Sequence, residues 1–521
     1  MSKVCSAAEA VALIQNGQSV ASVGVIGWIT PDDLLKALAD RYRQTQSPRD
    51  LTFYFPVATG DGLGIRGMDH VAIPGLMKRI VSGSYVNSLD PSTGKRPEVM
   101  RLIRENQIEA YSWPIGATMH WLREVARRSP GYFTEIGLGS YIDPRQQGGK
   151  LNSKTQDDLV RLIEISGREY LFYPTWPLDV GIIRATAADE FGNLSFEDEP
   201  LMSSSLAIAL AAKASGGKVI AQVQRLVTRS SRPVQSVKIP GVLVDHVVVC
   251  PNQMMVTETP FEANYLGGKP FDPTHLPKIP LSLDKVIARR AAREIRPGVV
   301  SIFGFGASSD VPMIMAEDGD FNDGRILDYQ FTTEHGPFGG IVMGGWQFSA
   351  NLFPEALLDG VSQFDFIDGG GCQFAALAFA EFDVAGNVNV SKFGIANPGA
   401  GGFIDIAYNA RELVFTGSFT TSGLKVDIGA GGLRVVSEGR VRKLVENVEQ
   451  ITYPVRKNVI ERGQKAMLVT ERAVFTIESD GLVLSEIAKG IDVKKDVLDL
   501  MAFRPARIVD PLPYMDEVLF K

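Results

Sequence analysis

Glu334 is a lone acid in the stretch TTEHGPFGGIVMGG (332–345), where five glycines, Gly336, Gly339, Gly340, Gly344 and Gly345, follow it closely. It comes just after a β-rich run, RILDYQF (325–331). A carboxylate at a strand end, on backbone free to take left-handed turns and approach a ligand closely, can serve as a nucleophile. By itself the segment is read more simply as a solvated turn acid, because acids are mostly exposed. The surrounding chemistry decides between the two. GFGASSD (304–310), DGGG (368–371) and NPGAGGF (397–403) join TEHGPFGG as glycine-rich turns whose backbone N–H groups could bind anions or developing oxyanions. No Ser-His-Asp order or GxSxG elbow stands out, and GFGASSD lacks the Gly-Lys-Ser/Thr ending of a phosphate loop. Asp365 and Asp368 are read at strand spacing, pointing to different faces, and so as a solvated turn rather than an acid–base pair. His70, His120, His246, His275 and His335 show no HxxxH spacing, and Cys5, Cys250 and Cys372 no CxxC spacing, so no metal site is expected. A single carboxylate among oxyanion-type donors remains, which suits nucleophilic carboxylate catalysis.

Such a site needs a scaffold that gathers distant turns. Residues 7–15 read as a short helix capped by Ser6 and stopped by Gly17, followed by a buried strand, SVASVG (19–24). Beyond the bend GVIGW, Pro31, Asp32 and Asp33 open an amphipathic helix. LTFYFPV (51–57), the β-branched and small run 179–186, the helix SSSLAIALAAKASGG (203–217) and the strand KVIAQVQRLV (218–227) continue the alternation. This pattern predicts α/β layers with a mainly parallel sheet, at whose carboxyl edge the glycine-rich turns would share one crevice. Residues 258–282 hold five prolines without sustained periodicity and read as a linker. After it, a helix (283–298) and a strand ending in glycines (299–306) repeat the order of residues 7–27. FDVAGNVNV (382–390) likewise echoes ADEFGNLSF (188–196), with Asp383, Gly386 and Asn387 answering Asp189, Gly192 and Asn193. Two echoes in one order predict two similar open α/β domains with mainly parallel sheets, residues 1–257 and 283–521, joined by the proline-rich linker.

At 521 residues the chain exceeds what one core usually fills, which agrees with two domains. Its net charge of -7 gives no basic footprint for nucleic acid. No stretch is long and apolar enough for a membrane helix, and the N-terminus is not a secretory signal, so neither a nucleic-acid nor a membrane partner is expected. Three widely separated cysteines fit a reduced, cytoplasmic setting.

Over nearly its whole length the chain resembles the family I coenzyme A transferases, in particular the fused-subunit acetate or short-chain acyl-CoA transferases. The resemblance rests on SYIDPRQQGGKLN (140–152), IIRATAADEFGNLSFEDE (182–199), VQSVKIPGVLVDHVVV (234–249), TEHGPFGG (333–340), SQFDFIDGGG (362–371), NVNVSKFG (387–394), GAGGFIDI (399–406) and LVTERAVFTIESDGL (468–482). It implies an α-subunit-like first half and a β-subunit-like second half that carries the nucleophile. The family's E-x-G-x-x-G-G glutamate falls on Glu334, and its GxGGF oxyanion motif on Gly399, Gly401, Gly402 and Phe403. The turn Gly304, Phe305, Gly306, Ala307 and Ser308 matches a region that contacts CoA. The implied activity is CoA transfer between a short-chain acyl-CoA and a carboxylic acid of the acetate, propionate, butyrate or 3-oxoacid class. It would run through a glutamyl-CoA thioester, with CoA as substrate and no cofactor or metal, in a homodimer or homotetramer. One departure stands out: VGVIGWITP (23–31) replaces the usual GGF and GxP signature, so Trp28 and Ile29 are expected to reshape the acyl pocket. His335 is expected to be structural or to shape the pocket. An acyl-CoA hydrolase on the same scaffold and a non-catalytic acyl-CoA binding protein are the competing readings.

Overall fold

Strands of β-branched and small residues alternate with helices and pair in parallel, as each crossover helix returns the chain to the same edge. The computed structural model describes residues 3–90, 93–272 and 276–521; positions 273–275 of the linker, with His275, lie outside the described residues. The first half builds a nine-stranded sheet. Its parallel strands run in the order His246–Val249, Lys218–Val227, Val180–Asp189, Ser19–Ser22, Leu51–Phe55, Met77–Ser82 and Glu109–Ser112. Val180–Asp189 is buried at every position, hence its unbroken apolar and small character. Its one internal cation is paired: Arg184 Nε donates to Glu199 Oε1 at 2.7 Å.

The second half builds a ten-stranded sheet whose centre is parallel: Gln330–Thr332, Val300–Phe303, Phe374–Ala378, Glu412–Thr416 and Lys465–Val469. Antiparallel strands Ala473–Glu478 and Gly481–Ile487 extend one side. From Val300–Phe303 the chain first adds a strand on one flank and then on the other, so the direction of winding reverses there. That reversal creates the crevice in which α/β sheets bind ligands. One apolar cluster runs through both halves, from Ala21 to Phe520.

The repeat expected from the sequence has a physical basis. In both halves an aspartate accepts from the asparagine four residues on: Asn193 N–H to Asp189 Oδ1 at 3.0 Å, and Asn387 N–H to Asp383 Oδ1 at 2.8 Å. Gly192 and Gly386 sit between them at φ +83° and +84°.

Three local expectations are corrected. RILDYQF is a 3-10 helix, Asn322–Asp328, before a strand of only three residues, Gln330–Thr332. Asp365 and Asp368 lie on the helix Gly360–Asp368, where a spacing of three puts them on one face. DGGG closes that helix ahead of the strand Phe374–Ala378, at the amino rather than the carboxyl edge of the sheet.

The VGVIGWITP bend is a tight hairpin closed by Val25 and Trp28 across Ile26 and Gly27. Ile26 and Ile29 take φ of +52° and +48°, costly values for β-branched residues. Trp28 is fully buried, donates from Nε1 to Phe348 O at 2.9 Å and meets Tyr265 edge-on. It ties the first half to the second.

Candidate active site

Glu334 is the second residue after the strand Gln330–Thr332, at the carboxyl edge of the second sheet. The strand beside it, Val300–Phe303, leads directly into the turn Gly304–Ser308. Buried side chains fix the backbone around the acid. Thr333 Oγ1 donates to Ser349 O at 2.8 Å, Gln363 Nε2 to Thr333 O at 2.7 Å, and Thr332 Oγ1 to Pro337 O at 2.6 Å. The carboxylate is 15% exposed.

His335 lies 3.2 Å from Glu334 Oε1 through Nε2, while its buried Nδ1 has no hydrogen-bond partner among the described residues. Nε2 thus flanks one carboxylate oxygen, while the other lies toward Gly402.

Gly402 is a glycine for space rather than for backbone freedom, since its φ is -85°. A Cβ there would lie 3.0 Å from Glu334 Cδ and 3.3 Å from the tip of the Phe364 ring, and closer still to Oε2. Among the described residues, the Gly402 N–H has no acceptor. Gly401 differs on both counts. It turns the chain at φ +60°, and its N–H donates to Gly83 O at 3.0 Å. Gly402, rather than Gly401, is thus the unengaged amide beside the carboxylate.

The first half holds the GAGGF loop in place. Gly83 follows the strand Met77–Ser82, and Ile115 N–H, following the strand Glu109–Ser112, donates to Gly401 O at 3.0 Å. The Tyr141 hydroxyl accepts from Ala400 N–H at 3.1 Å, and Tyr85 N–H donates to Pro398 O at 2.8 Å. The carboxyl edges of the two sheets meet here, with Glu334 between them. The sequence did not single out Gly83, Tyr85, Ile115 or Tyr141 as partners of this loop, although Tyr141 falls inside the motif SYIDPRQQGGKLN.

The expected CoA turn carries an exposed aromatic, Phe305, edge-on to Phe348 at 5.6 Å. Gly306 is exposed at φ +97°, and Ser308 Oγ is bonded to Thr416 Oγ1 at 2.7 Å. Trp28 and Ile29, expected to shape an acyl pocket, are wholly buried. Among the described residues there is no cluster of three or more His, Cys, Asp or Glu able to hold a metal ion, and no helix long and apolar enough to cross a membrane.

Comparison with known proteins identifies the family. Residues 4–250 match the family model described as coenzyme A transferase. The chain is 41% identical over 520 residues to the acetate CoA-transferase YdiF of Escherichia coli K12, covering 99% of this chain and 95% of that one. It is 40% identical over 530 residues to the caffeate CoA-transferase of Acetobacterium woodii, covering 100% and 98%. The crystal structure of apo acyl-CoA transferase YdiF from Escherichia coli O157:H7 superposes with a TM-score of 0.90 at 40% identity, covering 100% of this chain and 96% of that one. A further structure of that protein is a thioester complex with CoA, also at a TM-score of 0.90. With relatives matched from end to end, this chain belongs to the coenzyme A transferase family.

Proposed function

We propose that the protein moves CoA between a short-chain acyl-CoA and a free carboxylate, such as acetate, propionate, butyrate or a 3-oxoacid, by a ping-pong mechanism on Glu334. In this reading residues 1–257 are the α-subunit-like half and 283–521 the β-subunit-like half. The observation that carries it is Glu334 itself: a largely buried carboxylate at a strand end, one oxygen beside His335 and the other packed against Gly402, whose N–H has no acceptor among the described residues.

Oε2 attacks the thioester carbonyl and the C–S bond breaks, giving an acyl-glutamyl anhydride and CoA thiolate. The thiolate attacks the glutamyl carbonyl, the anhydride C–O bond breaks, and the first acid leaves as its carboxylate. A glutamyl-CoA thioester remains. An incoming carboxylate attacks it, regenerating thiolate and a new anhydride, and the thiolate then takes the new acyl group and frees Glu334. Every step passes through an oxyanion, for which Gly402 N–H is the donor in reach; losing one such donor typically costs about 2.7–4 kcal/mol. The thioester bond is conserved throughout, so the chemistry calls on neither ATP nor metal. The turn Gly304–Ser308, on the neighbouring strand, is placed to meet the body of CoA, whose remote contacts position the reacting carbonyl.

The test is peptide mass spectrometry after mixing with acetyl-CoA and no acceptor acid, repeated after borohydride reduction. A CoA-sized adduct on the Glu334 peptide, reduced to the alcohol by borohydride, is expected. Release of CoA without an adduct would point to hydrolysis instead. Glu334→Gln should show no transfer in its first turnovers; wild-type rates from that variant would end the assignment.

A further inference from the structure

A second carboxyl group lies behind the nucleophile, and the transfer chemistry leaves it unused. Asp405 is 1% exposed and sits three residues after Gly402, on the helix Phe403–Asn409. Its Oδ2 accepts from Gly116 N–H at 3.1 Å, and among the described residues it has no ion pair. Gly116 is kept small by this contact, since a Cβ there would lie 2.7 Å from Asp405 Cγ. The ring of Phe364 packs against both Gly402 and Gly116, between the two acids.

The groups packed around Asp405 offer it no free cation. Glu334 comes from the turn after Gln330–Thr332, and Asp365 and Asp368 from the helix Gly360–Asp368. Tyr132 and Tyr173 come from the strands Gly131–Thr134 and Arg168–Pro174. On the helix Ile115–Ala126, His120 is engaged by Asp368 at 3.1 Å and Arg123 by Asp365 at 2.9 Å. His335 is engaged by Glu334. A carboxyl buried among other carboxylates, without a cation of its own, keeps its proton. Burial, followed by the neighbouring Asp368 and by Glu334, holds Asp405 well above the usual carboxyl range, against the pull of the Gly116 amide.

Polar side chains lie beyond the same helix. Asn409 Nδ2 donates to the backbone carbonyl of Asp405 at 2.9 Å and to Asp368 Oδ1 at 3.3 Å. Asp368 and His120 line a cleft of about 480 Å³ between the halves, together with Arg123, Tyr132, Glu135 and Tyr408.

We propose that Asp405 is the proton reservoir of the site: it holds a proton while Glu334 is a carboxylate and yields it to solvent when Glu334 becomes a thioester. This rests on Glu334 being the nucleophile. Linkage makes it reciprocal, because a charge on Glu334 that favours the proton on Asp405 must, once removed, favour its departure. Acyl-CoA, the Glu334 carboxylate and the Asp405 acid become the glutamyl-CoA thioester, a free carboxylate, the Asp405 carboxylate and one proton in solvent. Regeneration of Glu334 takes the proton back. No oxidant or further reactant is involved.

The experiment is proton counting on the full chain, with an indicator dye in weak buffer, on adding acetyl-CoA without an acceptor acid. Thioester exchange by itself releases no proton at neutral pH, since the acetate leaves ionised. The expected result is a fraction of a proton, up to one, per thioester formed, with the fraction varying with pH; whatever thioester Asp405→Asn forms should form without a proton. Infrared difference spectra of the wild type should show a protonated-carboxyl band in the resting enzyme that weakens as the thioester forms. This second readout decides the matter even if the variant fails to fold. Thioester without proton release at any pH, or an unchanged carboxyl band, would overturn the reservoir and leave Glu334 intact. No thioester at all would overturn the Glu334 assignment instead.

Discussion

Replacing Gly402 and Gly401 by alanine, one at a time, separates space from backbone conformation within one loop. At Gly402 the backbone is ordinary but the room is gone, since the new Cβ would lie 3.0 Å from Glu334 Cδ. Carbon atoms in contact settle at about 3.5–4.0 Å, so the carboxylate must retreat by about 0.5–1 Å. Misplacement of a reacting group by about 1 Å costs on the order of 100-fold. Gly402→Ala should therefore lose about that much in kcat, with little change in thermal midpoint. At Gly401 the reverse holds. A Cβ there lies 4.0 Å from both Glu334 Oε1 and Ile115 Cδ1, ordinary contact, but φ is +60°. Holding alanine in that conformation costs about 1–2 kcal/mol. Gly401→Ala should lower the unfolding midpoint while retaining most of its turnover. Steady-state kinetics with acetyl-CoA and a second acid, beside thermal melts of both variants, make the comparison. If Gly402→Ala turned over within about threefold of wild type, the packing of Glu334 against Gly402 would not govern the chemistry.

Two further variants probe the frame. Trp28→Phe removes the donor to Phe348 O and leaves a buried carbonyl unpaired, which should destabilise the protein by about 1–3 kcal/mol; because Trp28 is wholly buried, the preference for acetate over butyrate should move less than about threefold. A larger shift in the ratio of kcat/KM values would place Trp28 at the acyl group after all. Lys443 is buried over the Phe379 ring at 3.9 Å, and burial pulls its ammonium from 10.5 down to about 8. With the folded value below the unfolded one, stability is complete above about pH 10.5 and is lost as pH falls toward about 8, by roughly 3 kcal/mol. Lys443→Met should be more stable than wild type at neutral pH, less what the ring contact contributes, and the gap should close in alkali. Denaturation midpoints that differ by a constant amount at every pH would contradict this.

What could be read from the sequence was local. Lys218–Val227 occupies the residues its β-branched run marks out, and Ser6 caps the first helix as expected, in a capping box with Glu9. Glu334 drew notice because glycines crowd it near a strand end, but its role as nucleophile came only from the family resemblance. The misreadings also have local causes. FDFID alternates polar and apolar residues like a strand, yet Asp359 accepts from Val361 and Ser362 N–H at 3.0 and 3.2 Å, which caps a helix there. Gly324 and Asn322 break RILDYQF early, despite its Ile and Tyr. The long-range pairs had no such signal. Gly83 with Gly401, Gly116 with Asp405 and Tyr141 with Ala400 join positions hundreds of residues apart, and nothing in either partner's neighbourhood names the other.

Those pairs also explain why the proposed nucleophile cannot be understood from its own half. The second half supplies Glu334, His335 and the GAGGF loop, but the loop's turn at Gly401 is closed by Gly83 and Ile115 of the first half. Without them, the Gly401 N–H and C=O would be left unpaired at the mouth of the site, and each orphaned group disfavours the geometry that brings Gly402 against the carboxylate. Asp405 follows the same logic, since its hydrogen bond comes from Gly116, on the helix Ile115–Ala126 of the first half. Joining the halves in one chain makes their docking intramolecular, at an effective concentration far above that of separate subunits. The catalytic geometry is then a property of the interface, and substitutions at Gly83, Tyr141 or Gly116 reach the chemistry without touching substrate.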